Sequence, residues 1–181
     1  GDKQMLSENF EAMKEQIRFM KNWIGPDGIM LMQAENQWKN LGDWCPAFEF
    51  PPTDMVHTFY LWRCADLTAQ AARALGEEGD AQTYAELAEK TADAFHKKFY
   101  NPETGSYGKY GGNIFALKIG VPEAYRDRVI AALKQDILDN GGHLDTGIFG
   151  TQFFFEVLAD NGLNDLAFEA MNKRDYPSFG L

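Results

Sequence analysis

Two stretches of the chain hold chemically useful residue types at short spacing. Between about Ile29 and Pro52, the acids Glu35, Asp43 and Glu49 lie among the large aromatics Trp38 and Trp44. That combination suits a carbohydrate, because an aromatic face packs on the apolar side of a sugar ring while carboxylates accept bonds from hydroxyls or act as acid and base. A plainer use is also open: the tryptophans would plug a loop onto the core and the acids would face solvent. The second stretch, Gly141-Gly142-His143-Leu144-Asp145-Thr146-Gly147, carries His, Asp and Thr within four residues. Ahead of an inner helix, His143 and Asp145 would point toward a central site. Equally, Asp145 or Thr146 would cap a helix starting near Ile148. His57, one turn into an apolar helix, either faces the same centre or is a hydrogen-bonded core residue. His96, beside Lys97 and Lys98, reads as a surface residue.

Other chemistries lack their residues. The formal net charge is −10, from 27 acidic against 17 basic side chains, which disfavours the broad positive surface that captures nucleic-acid phosphates or anionic lipid. The aromatics are not interleaved with basic residues, so nucleic acid is not an expected partner. Gly111-Gly112 and Gly141-Gly142 lack the flanking strand and lysine of a phosphate loop. The three histidines are 39 and 47 residues apart, so no local metal site is expected. Cys45 and Cys64 are too few for a disulfide framework and read as free thiols that do not fix the compartment. No stretch approaches the roughly 18 apolar residues of a membrane span, so no membrane partner is expected. The start without Met and the stop at Leu181, just past Tyr176-Pro177, suggest a piece of something longer.

The elements that must position these residues are helical. Leu6, Phe10, Met13, Ile17, Met20 and Ile24 recur at steps of 4, 3, 4, 3 and 4, the stripe of an amphipathic helix. Pro51-Pro52-Thr53-Asp54 reads as a helix start, with Thr53 or Asp54 as cap, leading into Met55 to Leu75. The first half of that helix is apolar on most of its circumference, so it is buried on several sides. Asp80 to Phe99 carries a single apolar stripe and lies outside it. Asn113 to Ile119 and Ile148 to Leu158 are again apolar nearly all round, each followed by an amphipathic helix. The turn glycines Gly76, Gly120 and Gly162 are 44 and 42 residues apart. A period near 43 is that of a helical hairpin in an α-solenoid or an α/α toroid, in which inner helices line a centre and outer helices cover them. Strands are nearly absent, with Leu31 or Tyr107 as candidates for short ones. The expected fold is all-α, and about seven helices make roughly half of a closed six-hairpin barrel.

The run Gly142-His143-Leu144-Asp145-Thr146-Gly147-Ile148-Phe149-Gly150-Thr151, with Glu156-Val157-Leu158, Asn161-Gly162 and Tyr176-Pro177-Ser178-Phe179-Gly180 after it, resembles the catalytic domain of bacterial α-L-rhamnosidases of glycoside hydrolase family 78. Gly42-Asp43-Trp44 ahead of the helix at Met55 shares the resemblance, which covers most of the chain from about residue 40. It implies an (α/α)6 barrel, of which residues 1–181 would form a part. It implies a bacterial protein, cytoplasmic or periplasmic, that removes terminal α-L-rhamnose from a rhamnose-containing glycoside with inversion and without an organic cofactor. Two carboxyl groups about 6.5–9.5 Å apart, leaving room for a water, are the general requirement of inversion. Carried over by residue, Trp44 would be the sugar platform and Asp43 a hydroxyl acceptor, with His143 and Asp145 near the sugar.

One departure from the family pattern has a direct consequence. The family's general acid is a Glu in an Asp-x-x-x-Arg-Asp-Glu-like segment, which this sequence lacks; Arg174-Asp175-Tyr176 lies in the wrong place. The family's general base follows the Pro-Ser-aromatic-Gly turn, beyond Leu181. Both catalytic carboxylates are therefore expected outside this chain, leaving it inactive by itself. The rival readings are another α/α-toroid carbohydrate enzyme and a non-enzymatic helical scaffold. Half a toroid also leaves inner faces uncovered, so self-association is expected, with Phe59-Trp62 and Phe153-Phe155 as its contacts.

Overall fold

A computed structural model describes residues 2–32 and 41–178. Glu35 and Trp38 lie outside the described residues. Within them the chain forms seven helices and no extended strand: α1 (Lys3–Lys21), α2 (Thr53–Leu75), α3 (Glu78–Phe99), α4 (Gly111–Ile119), α5 (Glu123–Asp139), α6 (Ile148–Asp160) and α7 (Asn164–Asn172). No helix among them is long and apolar enough to cross a membrane.

Helix α1 starts on Asp2, whose carboxylate accepts the N–H groups of Gln4 and Met5 at 3.0 and 3.2 Å, and it buries Phe10, Ile17 and Met20. The apolar stripe runs three residues past the helix. Ile24 instead forms an antiparallel bridge with Met30, closed by the Gly25 N–H to Ile29 carbonyl bond at 2.8 Å. The other bridge joins Asn101 and Ser106, so Leu31 and Tyr107 stand one residue beyond isolated bridges rather than in strands. Thr58 of α2 takes the Met30 N–H at 3.0 Å and gives its own hydrogen to the Asp54 carbonyl at 2.7 Å, which fastens this reversal to α2.

Neither Thr53 nor Asp54 caps α2. Pro52 occupies the cap position without a side-chain bond, as suits a residue whose fixed φ leads into a helix. The chain leaves α2 through Gly76, whose φ of +84° is a left-handed stop.

Helices α2, α4 and α6 pack on one another, while α3, α5 and α7 return along the outside of their partners. Three hairpins of a toroid result, with α1 against α2. The inner row is held by rings: Phe59 of α2 lies 4.6 Å from Phe115 of α4 and 5.2 Å from Phe153 of α6, centroid to centroid. Phe59, Phe115 and Phe153 are all buried. They are core, and so Phe59 and Phe153 are not the adhesive surface expected from the sequence; Trp62 and Phe155 are half-buried. The exposed apolar side chains of the inner helices are Leu67, Ile148 and Phe149.

Candidate functional site

The segments leading into the three inner helices meet at one end of the fold, where buried Asp43 joins those ahead of α2 and α6 and Tyr110 ties in the one ahead of α4. Helix α6 begins without a cap of its own, since Gly147 has no side chain. A helix start leaves N–H groups without intrahelical partners, and the dipeptide Asp43-Trp44 takes four of them. Asp43 Oδ2 accepts from Gly147 at 2.8 Å, and Oδ1 accepts from Phe149 at 2.9 Å and from Gly150 at 3.1 Å. The Trp44 carbonyl accepts from Ile148 at 2.8 Å. Asp43 is only 1% exposed, so its oxygens face protein. Burial raises its carboxyl above the ordinary range, while the three N–H bonds pull the other way.

A second carboxylate reaches in the opposite direction. Asp145, also buried, accepts the N–H groups of Phe48 and Glu49 at 2.8 and 3.0 Å. Each segment thus holds the other. Neither Asp145 nor Thr146 caps α6: the cap comes from Asp43, some hundred residues away in sequence, and Thr146 Oγ1 instead lies 2.8 Å from Thr151 Oγ1.

His143 is aimed at the segment after α7. Its Nδ1 lies 3.0 Å from the Pro177 carbonyl and its Nε2 3.4 Å from Asp175 Oδ2. Its own carbonyl accepts the Tyr110 hydroxyl at 2.7 Å, tying the approach to α4 into the same cluster. Burial pushes the phenol of Tyr110 up, and that of Tyr60, with Asp43 adding to the effect, up to about 12. Both stay neutral at ordinary pH.

Two clefts flank the Leu144–Thr146 stretch. One, of about 270 Å³, lies among Phe48, Glu49, Lys109, Tyr110, Asp136 and Asp145. Glu49 pairs with Lys109 across it at 3.7 Å, and burial raises the Asp136 carboxyl. The other, of about 260 Å³, lies among Cys45, Ala47, Leu144, Thr146, Tyr176 and Pro177. The Phe48 and Tyr176 rings meet edge to face at 6.3 Å. Trp44, four residues before Phe48, is 42% exposed, and its carbonyl is held by the Ile148 N–H.

Of the residues expected at a site, Asp43, Trp44, Asp145 and Thr146 come together and Glu49 stands at the adjoining cleft. His143 supports the assembly through its bond to the Pro177 carbonyl. His57 is half-buried, and that burial lowers its pKa. His96 is not a surface residue: it is half-buried against Tyr107, far along the chain from the cluster. Sequence reasoning overlooked Phe48, Tyr110 and Asp136, which have no local motif, whereas Tyr176 stands in the Tyr-Pro-Ser run already noted. Gly147 and Gly150 pointed only to the approach of Asp43 and Trp44, since a glycine admits close contact by other atoms.

Chemically, the buried carboxylates of Asp43 and Asp145 are engaged by backbone donors. Inner helices that start at a shared rim of aromatics and clefts define an α/α-toroid domain. Over residues 1–181 the chain matches the bacterial alpha-L-rhamnosidase 6 hairpin glycosidase domain, and it belongs to that family. It is 30% identical to an alpha-L-rhamnosidase of Formosa agariphila over 98% of its length and 20% of that protein's. It is likewise 30% identical to one of Streptomyces avermitilis, over 99% and 17% respectively. Among solved structures it resembles the alpha-L-rhamnosidase of Dictyoglumus thermophilum, with a TM-score of 0.88, 32% identity and coverage of 99% of this chain and 21% of that one. It also resembles the Streptomyces avermitilis alpha-L-rhamnosidase complexed with L-rhamnose, with a TM-score of 0.86, 27% identity and coverage of 99% and 17%. The chain spans about a fifth of the length of the curated relatives it matches.

Proposed function

We propose that this chain forms part of the catalytic barrel of an inverting α-L-rhamnosidase and supplies one wall of its sugar pocket. Trp44 carries the reading: a large indole, open to solvent on a fixed backbone, at the end where the inner helices begin. It would stack on the apolar face of a terminal rhamnosyl ring. Asp43, Asp145 and His143 hold the rim segments together, while the general acid and general base lie on other segments of the enzyme. The bonding of Asp43 and Asp145 supports this division, because a carboxylate holding two or three buried N–H groups is poorly placed to exchange a proton with a substrate. The relative solved with L-rhamnose bound supports the choice of sugar.

The test is hydrolysis of an aryl α-L-rhamnoside by two proteins, this 181-residue chain and a form extended through its native flanks. Turnover by the extended form alone is expected; turnover by neither would remove the reading. Uncovered inner-helix side chains, Leu67, Ile148 and Phe149, would also bring copies of the isolated chain together. A clean monomer at high concentration in sedimentation would exclude that association.

A further inference from the structure

An indole stacked on sugar has to be held within about half an ångström of its productive place, yet Trp44 belongs to a segment with no helix or strand of its own. We infer that Asp43 is a positioning residue for Trp44: its carboxylate completes the first turn of α6 from outside and thereby fixes where the indole stands. The inference rests on the rhamnoside reading above.

The geometry carries it in three steps. First, Asp43 and Trp44 are joined to α6 as one unit, because side-chain oxygens of one and the main-chain oxygen of the other divide the four N–H groups of Gly147, Ile148, Phe149 and Gly150. A charged acceptor at the positive end of a helix, out of water, makes bonds of the stronger kind. Second, the chain turns away directly after Trp44, through Cys45 at a φ of +61°. A non-glycine residue adopts that conformation where its surroundings dictate it. Phe48 and Glu49, a few residues on, are then pinned by Asp145, so the segment is clamped on both sides of the turn. Third, the partner surface is shaped for the carboxylate. A Cβ on Gly147 would stand 2.5 Å from Asp43 Oδ1 and also collide with the Trp44 carbonyl, and one on Gly150 would stand 2.7 Å from Asp43 Oδ2. The Gly-Asp-Trp segment and the Thr-Gly-x-x-Gly-Thr run are two halves of one lock.

Asparagine at position 43 keeps the shape but turns an NH2 toward one of the donor N–H groups, which loosens the lock without removing the indole. The test uses the protein with its native flanking sequence. Its readouts are kcat and KM on an aryl α-L-rhamnoside, the Kd of L-rhamnose by calorimetry, and the melting temperature. Asp43→Asn should raise KM and the L-rhamnose Kd together by about tenfold while kcat changes by less than about threefold, the pattern of lost uniform binding. In a Trp44→Ala background the same change should add almost nothing to KM, because a residue acting through another is non-additive with it. A lower melting temperature with KM unmoved, or an Asp43→Asn effect that persists in full without the indole, overturns the inference. If Asp43→Asn does not fold, Gly150→Ala disturbs the lock from the helix side with the carboxylate intact and must show the same split. A parent protein that neither hydrolyses the rhamnoside nor binds L-rhamnose overturns the reading and the inference together. Hydrolysis impaired by Trp44→Ala and indifferent to Asp43→Asn overturns the inference alone.

Discussion

His96 Nδ1 lies 2.7 Å from the hydroxyl of Tyr107, a bond that runs from outer helix α3 to the segment ahead of inner helix α4. Tyr107 is buried and stacks on Phe95 at 5.9 Å, so the imidazole is drawn off the surface into a ring cluster. Burial favours its neutral form and lowers its pKa.

That burial makes stability fall with acid. The unfolded chain takes up a proton near the ordinary histidine value of 6.5 while the folded chain resists it, so stability held above that value is lost as the pH falls through it. Half-buried His57 acts in the same sense. Burial raises the carboxyls of Asp43 and Asp136 from 3.8, and their contribution runs the opposite way, being lost as pH rises through the folded value. Urea midpoints should therefore drop between pH 7.5 and 5.5, and His96→Gln should flatten part of that drop. An unchanged slope in the variant would assign the effect elsewhere.

Core and rim should separate cleanly under substitution. Phe59→Ala removes a buried ring from between two other helices and should cost about 3–5 kcal/mol. Trp44→Ala, at an exposed position, should stay within about 0.5 kcal/mol in stability while weakening L-rhamnose binding in the flanked protein. Denaturant curves and calorimetry on the two variants check both halves; a Trp44→Ala protein as unstable as Phe59→Ala would make the indole core.

The glycines divide by what surrounds them. Gly147→Ala forces a Cβ into Asp43 and the Trp44 carbonyl, and a shift of that packed segment should cost about 1–3 kcal/mol. Gly79→Ala, in the first turn of α3 with nothing within 4 Å of the new Cβ, should stabilise by about 0.5–1 kcal/mol. Opposite shifts in melting temperature are expected; equal shifts would contradict the close approach at Gly147.

Asp145 should prove a fastener for the rim segment. Asp145→Ala leaves the Phe48 and Glu49 N–H groups without their acceptor, a loss of about 1–3 kcal/mol, and amide exchange at those two positions should accelerate more than in the helices. Exchange unchanged at 48 and 49 would refute the role.

Much of the helical frame was legible in order along the chain. Stripes at steps of three and four, glycines about 43 residues apart and the two-sided apolar character of the helices around Phe59 and Phe153 report burial directly, because an inner helix must be apolar wherever it meets neighbours. Local reasoning failed where a partner came from elsewhere. Ile24 continues the helical stripe but pairs with Met30, and His96 looks exposed between Phe95 and two lysines but is covered by Tyr107.

The hairpin period, the inner and outer helices and the two polar runs at the rim are readable along the chain, since these depend on side-chain type and spacing alone. What the acids in those runs do depends on the packed fold. Asp43 and Asp145 have residue types that suit a sugar hydroxyl, and each reached buried backbone donors in the other's segment instead. A helix start without a cap leaves N–H groups that must find an acceptor once water is excluded, and which carboxylate arrives there is set by where the segment ahead of α2 meets the start of α6, a relation between residues about a hundred positions apart that no local pattern records.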